Sequence, residues 1–389
     1  MSVALMLYGM GFLGNYFICV LSIFAFLLAY MMIKRKMIFP KNKNFYILLA
    51  FSIIYSVIMY FKNKSFAGFI LIAPSISYYC GIVIYEFCKN DEKYIIKYIF
   101  AIAIGLFIHG MLNYSINIGN INRNTIDFWN NNMLSATLQG TMLTMIMSLF
   151  FWIMVYNKKN YIKIIYLICY ILSLLYLTVL ATRTTIIISI VVLLIVYFIN
   201  GLLNKKTSKN IKILIIGCIF IIFANVIYNN NMFNLKNIIN KSNLIQRMSQ
   251  KEGLDRSDKN RFEAQLIGIK YIINNPFGSN SKIGDLDYAH NFWIDVGKEA
   301  GIIPFILIVL YTINYCVSLV GITKHKEISV KYKIFLWSIY LGVSINFFVE
   351  PILQGIPFYF MIFTLINGMV DSQYIKLKSG GKNENTLDS

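Results

Sequence analysis

The sequence predicts an all-α, polytopic membrane protein with about eleven transmembrane helices (ten to twelve) and one long, partly helical external loop. Hydrophobic residues make up 58% of the 389 residues and charged residues only 14%, whereas about a quarter of a soluble domain is charged. Apolar runs of about twenty residues, each long enough to cross a bilayer as a helix, recur along most of the chain. These observations argue against a soluble enzyme, a disordered protein and a disulfide scaffold.

The apolar runs give the predicted order of elements. The first, from Val3 to Ile33, is interpreted as a short N-terminal segment and one full span from about Leu13. The further predicted spans are 45–60, 67–87, 95–115, 133–156, 161–181, 184–203, 211–228, 292–320, 333–349 and 356–373. The predicted units are an N-terminal transmembrane bundle (1–228), an external loop with amphipathic helices (229–291), C-terminal transmembrane helices (292–373) and a disordered cytoplasmic tail (374–389).

Lysine and arginine set the predicted orientation. A net charge of +19 would suggest nucleic acid in a soluble protein, but here most basic residues fall in short loops between spans, so we expect no nucleic-acid partner. Every second loop is rich in lysine or arginine, and the intervening short loops carry only Lys62, Lys64, Arg123 and Arg183. The positive-inside rule therefore places the rich loops in the cytoplasm and the long segment Tyr228–Tyr288 outside.

The long external segment has helical patterns of its own. Phe262, Leu266, Ile269 and Ile273 recur at helical spacing with polar residues between them. The stretch 274–278 then breaks the helix with a proline and a glycine. We therefore expect a small helical cap with amphipathic surfaces near the lipid headgroups. An upstream stretch, 235–248, has a similar pattern.

The arginines of the external side are candidates for binding an anion. Arg183 lies between two spans joined by almost no loop, where an arginine is costly unless it faces protein, water or an anion; a snorkelling charge that ends a helix is the alternative. Arginine forks bind phosphate oxygens in a bidentate way, which makes Arg256 and Arg261 further candidates. The neighbouring Asp255 and Asp258 favour a solvated loop in which the charge of Arg256 is neutralised. Arg261 is the stronger candidate, because it lies at the predicted start of the amphipathic helix.

Titratable residues near the span ends are the candidates for acid–base chemistry. His290 lies at the mouth of a span, where a neutral imidazole can act as a general base. His109 is either a site residue or a helix-packing residue. Glu299 and Glu350 are membrane-proximal acids that could hold a base or an acceptor hydroxyl, or pair with an arginine.

An aromatic residue and a metal-like pattern complete the candidates. Trp129, close to Arg123, suits sugar stacking, although tryptophan is also common at membrane interfaces. Asp285-Leu286-Asp287 has the spacing that holds a metal–diphosphate in some sugar transferases, but such short patterns are common by chance. None of the six cysteines forms a CxxC or a Cys/His cluster. We therefore predict no bound metal and no other cofactor.

Four segments follow one another in the C-terminal half: Asn260-Arg261, Asn275-Pro276-Phe277-Gly278, His290-Asn291 and Glu299-Ala300-Gly301-Ile302. In order and spacing they resemble the O-antigen ligase/polymerase family, or Wzy/WaaL superfamily. Its pattern is an arginine that opens a helix, a proline–glycine turn, His-Asn and a helix with Glu-x-Gly. The family's Ser/Thr-Arg at a span start is matched by Thr182-Arg183, and Arg123–Thr137 looks like a pattern of some polysaccharide polymerases.

The resemblance implies an inverting glycosyl transfer on the outer face of the bacterial inner membrane. Its donor is a glycan on a polyprenyl diphosphate, and the acceptor is a second lipid-linked oligosaccharide. Carried over to this sequence, Arg183 and Arg261 would bind the diphosphate and His290 would take the acceptor proton. The further candidates for substrate binding are Arg123, Trp129, His109, Glu299, Glu350 and Arg256. Membrane lipids and a chain-length regulator protein are the other expected partners.

Three functions compete. The first is a polymerase that joins lipid-linked repeat units into O-antigen or capsular polysaccharide, which the Arg123–Thr137 pattern favours. The second is a ligase that moves finished glycan to another acceptor by the same chemistry. The third is a glycolipid transporter or flippase, which would favour inverted repeats and broken helices at the membrane midplane. The sequence has no paired Gly/Pro-interrupted spans, and this argues against transport.

Overall fold

The computed structural model describes residues 1–63, 72–88, 91–118, 124–204, 251–279, 282–283 and 287–384. The helices are α1 (Ser2–Gly9), α2 (Tyr16–Ile33), α3 (Lys43–Asn63), α4 (Ala73–Phe87), α5 (Glu92–Ile116), α6 (Ala136–Ser148), α7 (Phe150–Tyr156), α8 (Asn160–Val179), α9 (Thr184–Asn204), α10 (Lys251–Asn274), α11 (Phe292–Ala300), α12 (Ile302–Lys324), α13 (Val330–Val349), α14 (Ile352–Gly355) and α15 (Pro357–Glu384). A 3₁₀ turn covers Phe12–Gly14. Strands β1 (Asn124–Ile126) and β2 (Met133–Ser135) form an antiparallel hairpin.

The predicted class, an all-α polytopic membrane protein, is confirmed. In the described part of the chain, eight segments are long and apolar enough to cross a membrane: α2, α3, α5, α6 with α7, α8, α9, α12 and α13. The prediction for the N-terminus is also confirmed, since α1 is a separate short helix and α2 is a full span. The predicted span 211–228 and the helical pattern at 235–248 lie outside the described residues.

One predicted span is wrong in extent, and part of another lies outside the described residues. Of the span predicted at 67–87, residues 67–71 lie outside the described part of the chain, and α4 covers the rest from Ala73, with Pro74 in its first turn. The span predicted at 292–320 is two helices, α11 and α12, because Gly301 adopts φ 89° and ψ −172°, a conformation that interrupts the helix. Hydropathy does not register a single glycine of this kind.

Two predicted helix ends are also wrong. The disordered tail predicted from 374 is helical as far as Glu384, because Tyr374 and Leu377 lie one turn apart and pack against the core. Arg261 does not open its helix, since α10 already begins at Lys251. The preceding sequence carries opposite charges four residues apart, a spacing that favours helix.

Helix α15 is the buried axis of the bundle. Residues 358–371 are all buried, and α15 crosses α4 at two glycines. A Cβ at Gly81 would lie 2.1 Å from the carbonyl oxygen of Leu365, and a Cβ at Gly368 would lie 2.1 Å from that of Tyr78. Only glycine permits this backbone approach.

The buried polar residues Asn367 and Asp371 of α15 have hydrogen-bond partners inside the protein. Asp371 accepts hydrogen bonds from Asn44 (2.6 Å) and Tyr78 (2.7 Å). Asn367 accepts one from Tyr340 and donates one to Tyr311, both at 2.7 Å. These hydrogen bonds explain how a helix with buried amides and a buried carboxyl group lies at the centre of a membrane bundle.

Helix packing brings distant segments to one end of the bundle. Gly140 near the start of α6 lies against Thr185 at the start of α9, so both helices begin at the same level. Trp152 in α7 donates to the carbonyl oxygen of Lys331 at the start of α13 (2.8 Å). Helix α13 therefore runs antiparallel to α6 and ends where α6 begins. The β1–β2 hairpin directly precedes α6, and we call this end of the bundle the hairpin end.

Candidate functional site

The loop before α11 holds His290 in an unusual backbone conformation. His290 has φ 54°, in the left-handed region that few residues other than glycine adopt. Asp295, in the first turns of α11, accepts hydrogen bonds from the backbone N–H groups of Ala289 (2.6 Å) and Asn291 (3.0 Å). Asn291 in turn caps α11 by accepting from the N–H of Ile294 (3.2 Å). The two residues flanking His290 are therefore clamped by one buried carboxylate.

The imidazole of His290 is neutral and has an unused nitrogen. Its Nδ1 is buried and has no hydrogen-bond partner among the described residues. Burial lowers the pKa of His290, and the nearby Arg261 guanidinium lowers it further, to about 4. Near neutral pH the ring is therefore uncharged, and a ring nitrogen is available to a substrate.

Arg261 and Glu350 complete a group around His290. The Arg261 side chain, half-buried on α10, lies close enough to act electrostatically on both His290 and Glu350. Burial raises the pKa of Glu350 to about 7, and the positive charge of Arg261 opposes that rise. Glu350 is 2% exposed, and its Oε1 has no hydrogen-bond partner among the described residues. An unpaired buried carboxyl oxygen is costly and is characteristic of functional sites.

Ring packing holds the loop against the end of α13. Phe292, which follows the loop, packs on Phe347 with ring centroids 4.8 Å apart, and Trp293 packs on Phe348 at 4.6 Å. Glu350 directly follows α13. The fold thus brings together Arg261, His290 and Glu350, three of the residues that the sequence nominates.

Arg183 lies at the same end of the bundle in a tight turn. The backbone N–H of Thr182 donates to Leu177 O (3.0 Å), and that of Ala181 to Thr178 O (3.2 Å). With Ala181 at φ 54°, this is the Schellman arrangement that ends many helices. Arg183 is half-buried, and its guanidinium makes no ion pair with another described residue. The turn presents it at the start of α9, at the hairpin end.

Glu299 ties three helices together. Its Oε2 accepts hydrogen bonds from Tyr55 of α3 (2.6 Å) and Gln354 of α14 (2.8 Å). The Lys62 ammonium donates to the main-chain oxygen of the same residue. Oε2 is therefore engaged by the protein itself, and these bonds fix α11 against its neighbours.

His109 and Trp129 belong to a second polar cluster at the hairpin end. His109 is buried; its Nε2 lies 2.6 Å from Asp127 Oδ1 and its Nδ1 lies 2.9 Å from the Tyr16 hydroxyl. The Trp129 indole N–H donates to the Met10 carbonyl (2.9 Å). These bonds use the polar atoms of both side chains to hold the hairpin on α1, α2 and α5.

Asp127 is held in its ionised form within this cluster. Burial raises the pKa of Asp127, but hydrogen bonds from His109 and from two backbone N–H groups outweigh burial and bring it below its ordinary value. A charged acceptor strengthens those hydrogen bonds. The hairpin is therefore fastened by charge-assisted contacts.

The remaining predicted candidates are not placed. Arg123 lies outside the described residues, as does the side chain of Arg256. Asp285 of the DxD pattern is also outside them, whereas Asp287 is exposed and pairs with Lys282 at 3.4 Å.

Sequence reasoning missed Asp295, whose carboxylate accepts hydrogen bonds from two backbone N–H groups. The sequence signal was an acidic residue in the first turn of a helix capped by Asn291. Such residues often accept hydrogen bonds from the backbone N–H groups at the start of a helix. Burial raises the pKa of Asp295 to about 7, and the two amide donors act against that rise. The ionisation of the buried Asp295 carboxyl group therefore depends on these two hydrogen bonds.

A comparison with protein families matches residues 168–309 to the family model described as O-antigen ligase. The matched segment runs from α8 into α12 and contains Arg183, Arg261 and His290; Glu350 lies beyond it. No curated protein matches the chain.

Proposed function

We propose that this multi-pass membrane protein polymerises polyprenyl-diphosphate-linked oligosaccharides into O-antigen or capsular polysaccharide. The match of residues 168–309 to a family model described as O-antigen ligase supports a membrane enzyme of the ligase/polymerase type that transfers glycans. The observation that carries the proposal is the neutral imidazole of His290, whose buried Nδ1 has no hydrogen-bond partner among the described residues, beside Arg261 and the buried Glu350.

The proposed reaction is an inverting displacement at the anomeric carbon of the donor. The acceptor hydroxyl oxygen forms a bond to that carbon as the bond to the diphosphate oxygen breaks, through an oxocarbenium-like transition state. The hydroxyl proton passes to His290, and the electron pair leaves with the diphosphate. Arg183 and Arg261 bind the leaving diphosphate, because fixed guanidinium groups stabilise the charge that develops there.

The negative charge of the bound donor is proposed to raise the pKa of His290. Before the donor binds, burial and then Arg261 hold the pKa of His290 at about 4, which makes the imidazole a weak base. A bound diphosphate offsets the positive charge of Arg261 and so raises the pKa toward the range of an effective base. His290 would therefore become basic when the donor is in place.

Glu350 is proposed to hold the acceptor. Its Oε1, which has no partner among the described residues, can accept a hydrogen bond from the attacking hydroxyl. We place this chemistry on the outer face of the bacterial inner membrane, because the basic loops predict a cytoplasmic location for the opposite end. The diphosphate donor is already activated, so the proposal needs no nucleotide, and a chain-length regulator remains a proposed partner.

A ligase is the second candidate, supported by the match of residues 168–309 to a family model described as O-antigen ligase. Ligase and polymerase share the arginine and histidine chemistry and differ in the acceptor. The acceptor of a ligase is another glycolipid, whereas that of a polymerase is a lipid-linked repeat unit. A glycolipid transporter is the third candidate and would need no base.

Surface glycan from a deletion strain separates these functions. The strain is complemented with wild type, with His290→Ala, or with His325→Ala as a matched control from the loop between α12 and α13. We expect a ladder of chain lengths with wild type and His325→Ala, and single attached repeat units with His290→Ala at normal protein levels. A normal ladder with His290→Ala would remove the histidine from the mechanism.

The accumulating intermediate identifies the alternatives. Lipid-linked polymer without any attached glycan in the deletion strain would replace polymerase by ligase. Single lipid-linked units retained on the cytoplasmic leaflet would favour the transporter and contradict the proposed site.

A further inference from the structure

Helix α10 has three distinct faces between residues 261 and 274. One face packs on the protein: Ala264 and Ile272 are buried against Ile283, Ala289 and Ile294. A second face is exposed and mainly polar, with Glu263, Lys270 and Asn274, and Ile267 lies at its edge. The third is an exposed apolar stripe formed by Phe262, Leu266, Ile269 and Ile273, which we call the α10 stripe.

The α10 stripe is narrow and strongly exposed. At 100° per residue its four side chains fall within about 60° of one another. Phe262 is 64% exposed, Leu266 47%, Ile269 45% and Ile273 69%. A contiguous row of large apolar side chains on a protein surface marks an interaction site.

The α10 stripe continues into the lipid-facing surface of a span. Phe277, 81% exposed, extends the row past the end of α10. The adjacent Pro276 accepts a hydrogen bond from the N–H of Ile302, the first residue of α12 (2.9 Å). Helix α12 is a candidate membrane span. Its exposed apolar side chains are Ile302, Ile303, Ile306, Leu310, Ile313 and Val317.

We propose that α10 is an interfacial helix that lies in the bilayer surface at the hairpin end, with the α10 stripe in contact with the lipid chains. The occupant is the lipid of the leaflet that surrounds α12, because the two apolar surfaces meet at Phe277 and Ile302. The polar face beside the stripe then remains in water and headgroups, as in other interfacial helices.

This position sets the depth of the site. Arg261 directly precedes Phe262, but lies about 100° away around the helix, toward the face that packs on the protein and His290. Its guanidinium is therefore held at headgroup depth. If the proposed function holds, this is the depth at which the diphosphate of a membrane-anchored donor lies.

Spin-label accessibility in proteoliposomes of the full chain tests the location. Nitroxides are attached at Leu266→Cys, Ile273→Cys and the matched polar-face control Lys270→Cys, in a background whose native cysteines are replaced by alanine. We expect lipid-soluble oxygen to relax the labels at 266 and 273 far more than a water-soluble nickel chelate does, and the reverse at 270. High nickel accessibility at 266 and 273 would place the stripe in water and overturn the proposal.

Low accessibility of 266 and 273 to both reagents would also overturn it, because the stripe would then be covered by protein. If the cysteine-free background fails to fold, a photoreactive benzoylphenylalanine at Ile273 or Lys270 in the native background gives the same information. Lipid adducts from position 273 and not from 270 are expected; protein adducts or none at 273 contradict the proposal. Neither readout requires glycan transfer, so failure of the proposed function leaves the result interpretable.

Discussion

The backbone of His290 is strained, and a single carboxylate supports it. A residue other than glycine in the left-handed region costs about 1–3 kcal/mol, and such strain persists only where neighbouring contacts enforce it. Here the contacts are the hydrogen bonds that Asp295 accepts from the backbone N–H groups of Ala289 and Asn291. Orientation of the imidazole thus depends on a residue that holds the loop through backbone hydrogen bonds.

Asp295→Asn is expected to lower the polymerisation rate about ten-fold or more, because one buried amide loses its acceptor at a cost of about 1–3 kcal/mol. The exposed Asp287→Asn is the control and should keep the wild-type rate. The measurement is transfer from a lipid-linked donor by purified protein, normalised to folded protein. Equal rates for both variants would show that the clamp does not position His290.

The raised pKa of Glu350 predicts a pH dependence. Burial raises it from 4.5 to about 7, so the carboxyl group is mostly protonated below that pH and ionised above it. If the ionised carboxylate is the form that accepts a hydrogen bond from the hydroxyl of the acceptor sugar, the rate of transfer rises between about pH 6 and pH 8. In Glu350→Gln the rate should be lower and flat over this interval; an unchanged profile in this variant would exclude Glu350 as its source.

Residue identity in the site was partly predictable from the sequence. Arg261 and His290 could be nominated because their side chains carry chemistry that few other residues supply at a span end. Asp295 could not, because its contribution depends on where two amides point. His109 shows the reverse limit, since its chemistry fits a site but the fold uses both ring nitrogens for the hairpin.

At the scale of elements, the crossing of α4 and α15 depends on the absence of side chains. Because the nearest atoms to a Cβ at Gly368 are backbone atoms of Tyr78 and Gly81, a side chain there must separate the helices. Overpacking of this kind costs about 1–3 kcal/mol, and more where backbone must move.

Gly368→Val should therefore lower the unfolding temperature of the detergent-solubilised protein by several degrees. Gly355→Ala is the matched control, because a Cβ there meets nothing within 4 Å, and it should leave unfolding unchanged. Thermal unfolding followed by tryptophan fluorescence gives both values. Wild-type stability in Gly368→Val would show that the two helices are not in close contact.

The elements predicted correctly from the sequence are those whose environment matches their composition. Lipid-facing spans such as α8 and α9 are apolar along their length, so hydropathy finds them. Helix α15 is shielded from lipid, and its polar residues pair inside the bundle, so hydropathy misjudged its end. The division between α11 and α12 depends on one glycine dihedral, which composition does not encode.

At the scale of the whole molecule, the candidate site is assembled from segments far apart in sequence. Arg183 precedes α9, Arg261 belongs to α10, and Glu350 follows α13. They reach one end of the bundle because the helices run alternately up and down. A site built in this way depends on the packing of the whole bundle.

If Arg183 and Arg261 hold one diphosphate, their effects are coupled. Arg183→Lys and Arg261→Lys should each reduce transfer strongly, because an ammonium group does not reproduce the bidentate guanidinium contact. The double variant should lose less than the product of the two single losses, since both remove the same interaction. The transfer rates of wild type, the two single variants and the double variant form a double-mutant cycle. If the loss in the double variant equals the product of the two single losses, the arginines bind separate groups.

Gly301 also separates the histidine loop from the mechanics of the bilayer. A span tilts when the hydrocarbon layer becomes thinner or thicker, and a continuous helix from Phe292 to Lys324 would carry that tilt to His290. The chain is not a continuous rod, because its backbone leaves helical geometry at Gly301 and α11 is fastened to α13 through aromatic rings. We therefore expect changes in bilayer thickness to reach His290 less strongly than they would through a continuous helix, which suits chemistry on a substrate anchored in the same membrane.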